Sequence, residues 1–237
     1  MDGVKNAISK KSEEIVIWGA SGHAMVVADI LRLMGGYEIL GFIDNENHLS
    51  HHTNFCGAPI IGGEEQLDVL LEKGVKNMTL GFGDCASRLL ISAHVRQKGF
   101  TLVSAIHPRS IVANDVQIGA GTVVAAGAVV NPCSTIGENV IINTCASIDH
   151  ECMIEDGCHI SPGVHMAGNV IVGRGSWIGI GATVKDQVRI GAGSIIGAGA
   201  VVLSDIPENT LAYGVPARIV NTLSHSSAER TSKHFYS

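Results

Sequence analysis

Aromatic side chains are scarce: Phe, Trp and Tyr make up 4% of the 237 residues. With 46% hydrophobic residues, the core must be built from small and β-branched side chains, which suits a repetitive β architecture better than a helix bundle. Positive charge is short too. The net charge is −6 and no basic stripe runs along the chain, so nucleic acid, whose phosphates demand Lys and Arg, is not an expected partner. No apolar run approaches the ~20 residues of a bilayer span. The opening MDGVKNAISKKSEE is polar and has no signal-peptide core. The six cysteines (56, 85, 133, 145, 152, 158) include no C-x-x-C pair. A reducing, cytoplasmic setting with free thiols and no membrane insertion is the expectation.

What the chain does have falls into two halves with different periods. In the first, short apolar runs alternate with helical patterns. IVIWG (15–19), YEILGFIDN (37–45), NMTLGFG (77–83) and TLVSAIHP (101–108) read as strands. GHAMVVADILRLMG (22–35), GEEQLDVLLEKG (63–74) and CASRLLISAHVRQKG (85–99) read as helices. This alternation predicts a small parallel α/β sheet, a Rossmann-like unit.

From Ile106 the period becomes six. Ile106, Val112, Ile118, Val124, Val130, Ile136, Ile142, Ile148, Ile154, Ile160, Met166, Val172, Ile178, Val184, Ile190, Ile196 and Val202 are all aliphatic, with no slip of phase. Four positions after each lies a small or short side chain, such as Thr122, Ala146, Cys152 and Ser176. A hexapeptide repeat marks a parallel β-helix: each hexad supplies one strand and one corner, and three hexads close a triangular coil. The aliphatic residue fills the prism and the small residue packs where the walls approach. Cys152 and Cys158 take that inward slot and are expected to be inert, which argues against covalent acyl transfer.

The [IV]-G-x-G hexads, with WGASGHA, GFIDN, DHEC and the closing YGVPAR, resemble the hexapeptide-repeat acyltransferases, specifically the nucleotide-sugar N-acetyltransferases and sialic-acid O-acetyltransferases. The resemblance covers about residues 15–220. It implies left-handed coiling, which periodicity alone does not set. It also implies acetyl-CoA as co-substrate with no metal, and a homotrimer with active sites between subunits. The corresponding organisation is a polar tail (1–14), a Rossmann-like nucleotide-sugar-binding domain (15–104), a left-handed β-helix acetyltransferase domain (105–205), a CoA-proximal segment (206–220) and a flexible tail (221–237).

Register places the polar cluster. Ile148 and Cys152 point inward, so Asp149, His150 and Glu151 occupy a corner. His159 and His165 precede inward residues and are expected to face outward on the rod's surface. Attack of an amine on a thioester needs a base that titrates near the working pH, which makes His150 the candidate. Asp149 or Glu151 is the carboxylate that orients it, and spacing does not choose between them. Gly168, one coil after His150, should stack on the same corner. By resemblance its N–H supports the oxyanion, His159 contacts acetyl-CoA or the acceptor, Asn143 contacts substrate, and Arg218 meets a CoA phosphate.

In the first half, GASGH (19–23) links a strand to a helix start, an anion site built from free N–H groups. By resemblance, Ser21, Gly22 and His23 neighbour a diphosphate and Asp44 the base or ribose. Gly81, in GFGD (81–84), closes the same crevice. The histidine patch HLSHHTN (48–54) lacks acidic or Cys partners at ligand spacing and reads as a solvated loop. The expected activity is N-acetylation of a nucleotide-linked amino-deoxy sugar for bacterial glycan synthesis. The alternatives are sugar O-acetylation, a β-helix zinc carbonic anhydrase using His150, His159 and His165, and a non-catalytic solenoid.

Overall fold

The computed structural model describes residues 12–45 and 53–223. Most of the 48–54 histidine patch lies outside them. The first half is a six-stranded sheet formed by β1 (Glu13–Trp18), β2 (Tyr37–Ile43), β3 (Asn54–Phe55), β4 (Ala58–Gly62), β5 (Asn77–Leu80) and β6 (Thr101–Leu102). Their spatial order is β3-β4-β2-β1-β5-β6, and every pair is parallel except β3 with β4, an edge hairpin that the alternation of apolar runs did not reveal. Helices α1 (Gly22–Met34), α2 (Gln66–Glu72) and α3 (Cys85–Lys98) cover the two faces. The chain winds outward from β1 through β2 to β4, then crosses back to place β5 on β1's other side. The loops after β1 and β5 therefore diverge from a topological switch point, where open α/β sheets bind ligands.

The second half is a triangular prism of two-residue strands. Strands eighteen residues apart pair in parallel, for example Ile141–Ile142 with His159–Ile160 and then with Trp177–Ile178. Three walls result. The first runs from Ala105–Ile106 to Ile195–Ile196 and is extended by a hairpin, Thr210–Gly214 with Ala217–Thr222. The second runs from Ile111–Val112 to Val201–Val202, and the third from Gln117–Ile118 to Arg189–Ile190. The hexad reading holds: from Val124 to Val202 every sixth residue is buried in one continuous core with Ala128, Ala146, Cys152, Cys158, Val164 and Ala182. Each such aliphatic side chain contributes about 1.5–3 kcal/mol. Burial raises the pKa of the Cys152 and Cys158 thiols, keeping both protonated.

The two halves share a core. Val27, Ile30 and Leu31 of α1 pack on Val123 and Ile141, residues that point out of the first wall. The α/β unit thus sits on that wall, leaving the corner between the second and third walls open to solvent.

Candidate functional site

The corner after Ser147–Ile148 carries His150, the candidate base. Asp149 and Glu151, both flanking His150, do different jobs. Asp149 Oδ1 accepts from the His150 backbone N–H at 2.8 Å and from Asn131 Nδ2, one coil below, at 2.9 Å. The Asn131 bond, then the backbone bond, hold its carboxyl below the usual range. Its work is to shape the corner. Glu151 is the residue that reaches the ring: its Oε2 lies 3.0 Å from His150 Nδ1. A carboxylate there requires N–H at Nδ1 and leaves Nε2 bare, the tautomer a base needs.

Both side chains are more than half exposed, so the pair adds little stability. The backbone even works against it. Glu151 sits at φ +58, a left-handed turn position held by Asn169 one coil above. Such a conformation costs a non-glycine residue on the order of 1–3 kcal/mol. The conformation belongs to the repeat, since Cys133 one coil below and Asn169 and Gln187 above adopt it at the same corner.

Gly168 stacks directly on this corner, as the one-coil spacing predicts: Asn169 N–H donates to the His150 carbonyl at 2.9 Å. A methyl added at Gly168 would lie 2.7 Å from His150 Nε2 and 2.6 Å from Cε1. Only glycine leaves room for the imidazole beside this backbone.

The crevice forms elsewhere. Gly19 and Gly81 pass so close that a Cβ on Gly19 would be 3.0 Å from the Gly81 carbonyl oxygen, and one on Gly81 would be 2.8 Å from Ala24 Cβ. This approach joins the GASGH and GFGD loops at the switch point. Ser21 stands at the N-terminal end of α1 with an uncommitted hydroxyl, and Gly22 opens the helix with nothing within 4 Å of a notional Cβ. Asp44 follows β2, its N–H donating to Gly62 O at 2.9 Å. The Nε2 of His23 is buried without a hydrogen-bond partner, and burial, then the charge of Arg88, lowers this imidazole to about 4.

His159 corrects one expectation. It does point out of the prism, but the α/β unit covers it and it is 6% exposed. Its ring stacks on Trp177 at 4.5 Å, lies 6.3 Å from the His23 ring, and puts Nδ1 3.2 Å from the Gly83 carbonyl. Burial, then the charges of Arg88 and His23, push its pKa well down. Asn143 joins it, with Nδ2 3.4 Å from His159 Nε2. Hexad register alone could not show the second domain resting on that wall.

Residues 149–159 look like one cluster in sequence, but the chain turns through two corners between them. Asp149, His150 and Glu151 lie between the second and third walls, Asp156 lies between the third and first, and His159 stands on the first wall. His165 is exposed on the second wall, bonded through Nδ1 to Ser147 Oγ at 2.8 Å. Arg218 is exposed on the closing hairpin, where its Nη1 donates to Ala217 O at 3.1 Å. Among the described residues no group of three His, Cys, Asp or Glu side chains is arranged to hold a metal ion.

Known proteins share this fold. A family model for the PglD N-terminal domain matches residues 14–95, and one for the bacterial transferase hexapeptide (six repeats) matches 169–204. PerB from Caulobacter crescentus, solved with CoA and GDP-perosamine, is 39% identical over 88% of this chain and 97% of that one, with a TM-score of 0.83. The chain belongs to the nucleotide-sugar acetyltransferase family. The acetyltransferase domain of PglB from Neisseria gonorrhoeae, solved with acetyl coenzyme A, is 36% identical over 89% of this chain and 100% of that one, with a TM-score of 0.83. A curated relative, GDP-perosamine N-acetyltransferase of Escherichia coli, is 32% identical over 98 residues; the match spans 44% of that protein's length.

With membership in the acetyltransferase family, the prism is a left-handed parallel β-helix behind a Rossmann-like domain. No helix among the described residues is long and apolar enough to cross a membrane. Two residues packed beside His159 and the GFGD loop escaped the sequence reading. Arg88 is buried where the domains meet, and Trp177 stacks on His159. For Arg88 a signal existed: it lies at helical spacing with Cys85, Ser92 and Val95, all on the buried face of α3.

Proposed function

We propose that this protein transfers the acetyl group of acetyl-CoA to the amino group of a nucleotide-linked amino-deoxy sugar. The observation that carries the reading is the His150 corner: Nδ1 is 3.0 Å from Glu151 Oε2, while the Nε2 edge lies against Gly168 in open solvent. The amine nitrogen attacks the thioester carbonyl as His150 Nε2 takes its proton. Glu151 stabilises the imidazolium so formed. The carbonyl oxygen gathers negative charge beside the Gly168 N–H, a donor position worth about 3 kcal/mol when well aimed. The C–S bond then breaks, and the proton held by His150 passes to the departing thiolate. Transfer is direct: burial keeps the Cys152 and Cys158 thiols protonated, and Asp115, by hydrogen bond and charge, raises the exposed Cys133 thiol one coil below Glu151.

The acceptor's nucleotide is assigned to the crevice of Ser21, Gly22, His23, Asp44 and Gly81, where the α1 N-terminus offers N–H groups to a diphosphate. In a single chain this crevice and the His150 corner face different directions. A homotrimer, with the prisms side by side, supplies the missing proximity: the corner of one subunit meets the crevice and first wall of the next. Acetyl-CoA then lies in the groove between prisms, within reach of Gly168 and Arg218. Relatives solved with CoA, acetyl coenzyme A and GDP-perosamine support this reading.

The deciding experiment incubates the protein with acetyl-CoA and a panel of nucleotide-linked amino sugars, GDP-perosamine first, and reads free thiol together with acetylated sugar. Amide product with thiol release in equal amounts is expected. Ester formation on a sugar hydroxyl, with the amino sugars inert, overturns the assignment in favour of O-acetylation.

Gly168→Ala gives a separate check on the corner. The added methyl displaces the imidazole, and because misplacing a catalytic group by about 1 Å costs on the order of 100-fold, kcat should fall by about that factor. The melting temperature should stay close to wild type. Unchanged kcat means that the ring does not act from this position.

A further inference from the structure

Arg88 is 2% exposed and forms no ion pair among the described residues. An uncompensated buried cation is costly, so its donors must be filled. They are filled by carbonyls from both domains. Nε donates to Asn139 O at 3.1 Å, and Nη2 to Gly157 O at 2.8 Å and Cys158 O at 3.1 Å, all on the prism corner that leads into the first wall. Nη1 donates to Gly83 O and, at 3.4 Å, to Phe82 O, in the crevice loop after β5. The planar guanidinium spans the two sets at once, a geometry that a lysine ammonium cannot reproduce.

The Gly83 carbonyl takes a second donor. His159 Nδ1 lies 3.2 Å away, and because a carbonyl only accepts, Nδ1 carries the proton. Nε2 is then the bare nitrogen. Asn143 agrees: its Oδ1 accepts the Thr144 N–H at 2.8 Å, so its Nδ2 is the atom that donates toward Nε2 at 3.4 Å. We propose that Arg88 is a positioning residue for the acceptor side of the site: by seating the Gly83 carbonyl on His159, it locks the Nδ1–H tautomer and presents Nε2 as a neutral acceptor to an N–H or O–H group of the incoming amino sugar. The long Asn143 contact is the one a substrate donor replaces. Burial and the Arg88 charge hold the ring uncharged, consistent with that role.

The kinetic consequence rests on the function proposed above; the tautomer does not. In full-length protein with 15N-labelled histidine and no substrate, long-range proton–nitrogen correlation should show His159 protonated at Nδ1 and bare at Nε2. In Arg88→Lys and Arg88→Met the pattern should become mixed. Loss of one aligned neutral hydrogen bond corresponds to about tenfold, so KM for the nucleotide sugar should rise by about that factor while KM for acetyl-CoA stays within about twofold. A role confined to packing lowers the melting temperature and moves neither the tautomer nor the ratio of the two KM values. Should Arg88→Met fail to fold, Arg88→Lys and the wild-type spectrum still decide. A wild-type His159 protonated at Nε2, or a folded Arg88→Lys with an unaltered tautomer and acceptor KM, overturns the proposal. If no nucleotide sugar is acetylated, the functional assignment falls and the tautomer measurement alone judges Arg88.

Discussion

His150→Asn should lower kcat by about 1,000-fold, the middle of the range that a positioned general base contributes. Asparagine is chosen because its Nδ2 can keep the donor role toward Glu151, whose Oε2 lies 3.0 Å from the native Nδ1, while nothing replaces Nε2. The corner should survive, since its shape rests on Asp149, Asn131 and the backbone ladder rather than on the exposed ring. KM for both substrates should therefore change little. Glu151→Gln should fall between wild type and His150→Asn, as it removes the charge that stabilises the imidazolium and keeps a side chain of the same length. The measurement is initial rate by thiol release at saturating substrates. A His150→Asn variant within tenfold of wild type would mean that the amine loses its proton elsewhere.

The second large effect comes from mixing two crippled variants. His150 stands on the corner between the second and third walls and His159 on the first wall, so in the trimer proposed above an active site that uses both draws them from neighbouring subunits. His159→Asn keeps a donor toward the Gly83 carbonyl and removes the Nε2 acceptor. Alone, His150→Asn is nearly inactive, and His159→Asn, having lost one neutral acceptor, is about tenfold weaker at subsaturating nucleotide sugar. Refolded together in equal amounts, half of the sites receive a native His150 and half of those a native His159, so about one quarter of wild-type activity should return if subunits associate at random in a closed ring. The two variants assayed separately average about one twentieth of wild type, so the mixture should gain about fivefold over that mean. Differently tagged subunits prove that mixed assemblies form. Mixed assemblies with no activity above the two variants alone would place both histidines in the same subunit's site, and the between-subunit geometry would have to be abandoned.

Much of this was legible in the residues. Six-residue spacing has one economical solution, a coil of three short strands, because each aliphatic side chain can be buried only if its neighbours eighteen positions away stack on it. Hence Ile142, Ile160 and Ile178 could be placed inside, Cys152 and Cys158 judged inert, and His150 put on a corner one coil below Gly168, all without coordinates. The strand–glycine–helix grammar of GASGH placed the crevice by the same kind of local argument. The shortfalls were long-range. The β3–β4 hairpin pairs segments of only two and five residues, too brief to carry a period.

The amino-acid order, then, settled which side chains point into the prism and where the first and third helices begin, because each depends on neighbours a fixed number of residues away. Tertiary structure decided the rest. It chose Glu151 over Asp149 as the partner of His150, since side-chain reach depends on a left-handed turn at φ +58 that spacing does not encode. It also buried His159 and Arg88, because docking one domain on one wall of the other is a contact between surfaces far apart in the chain.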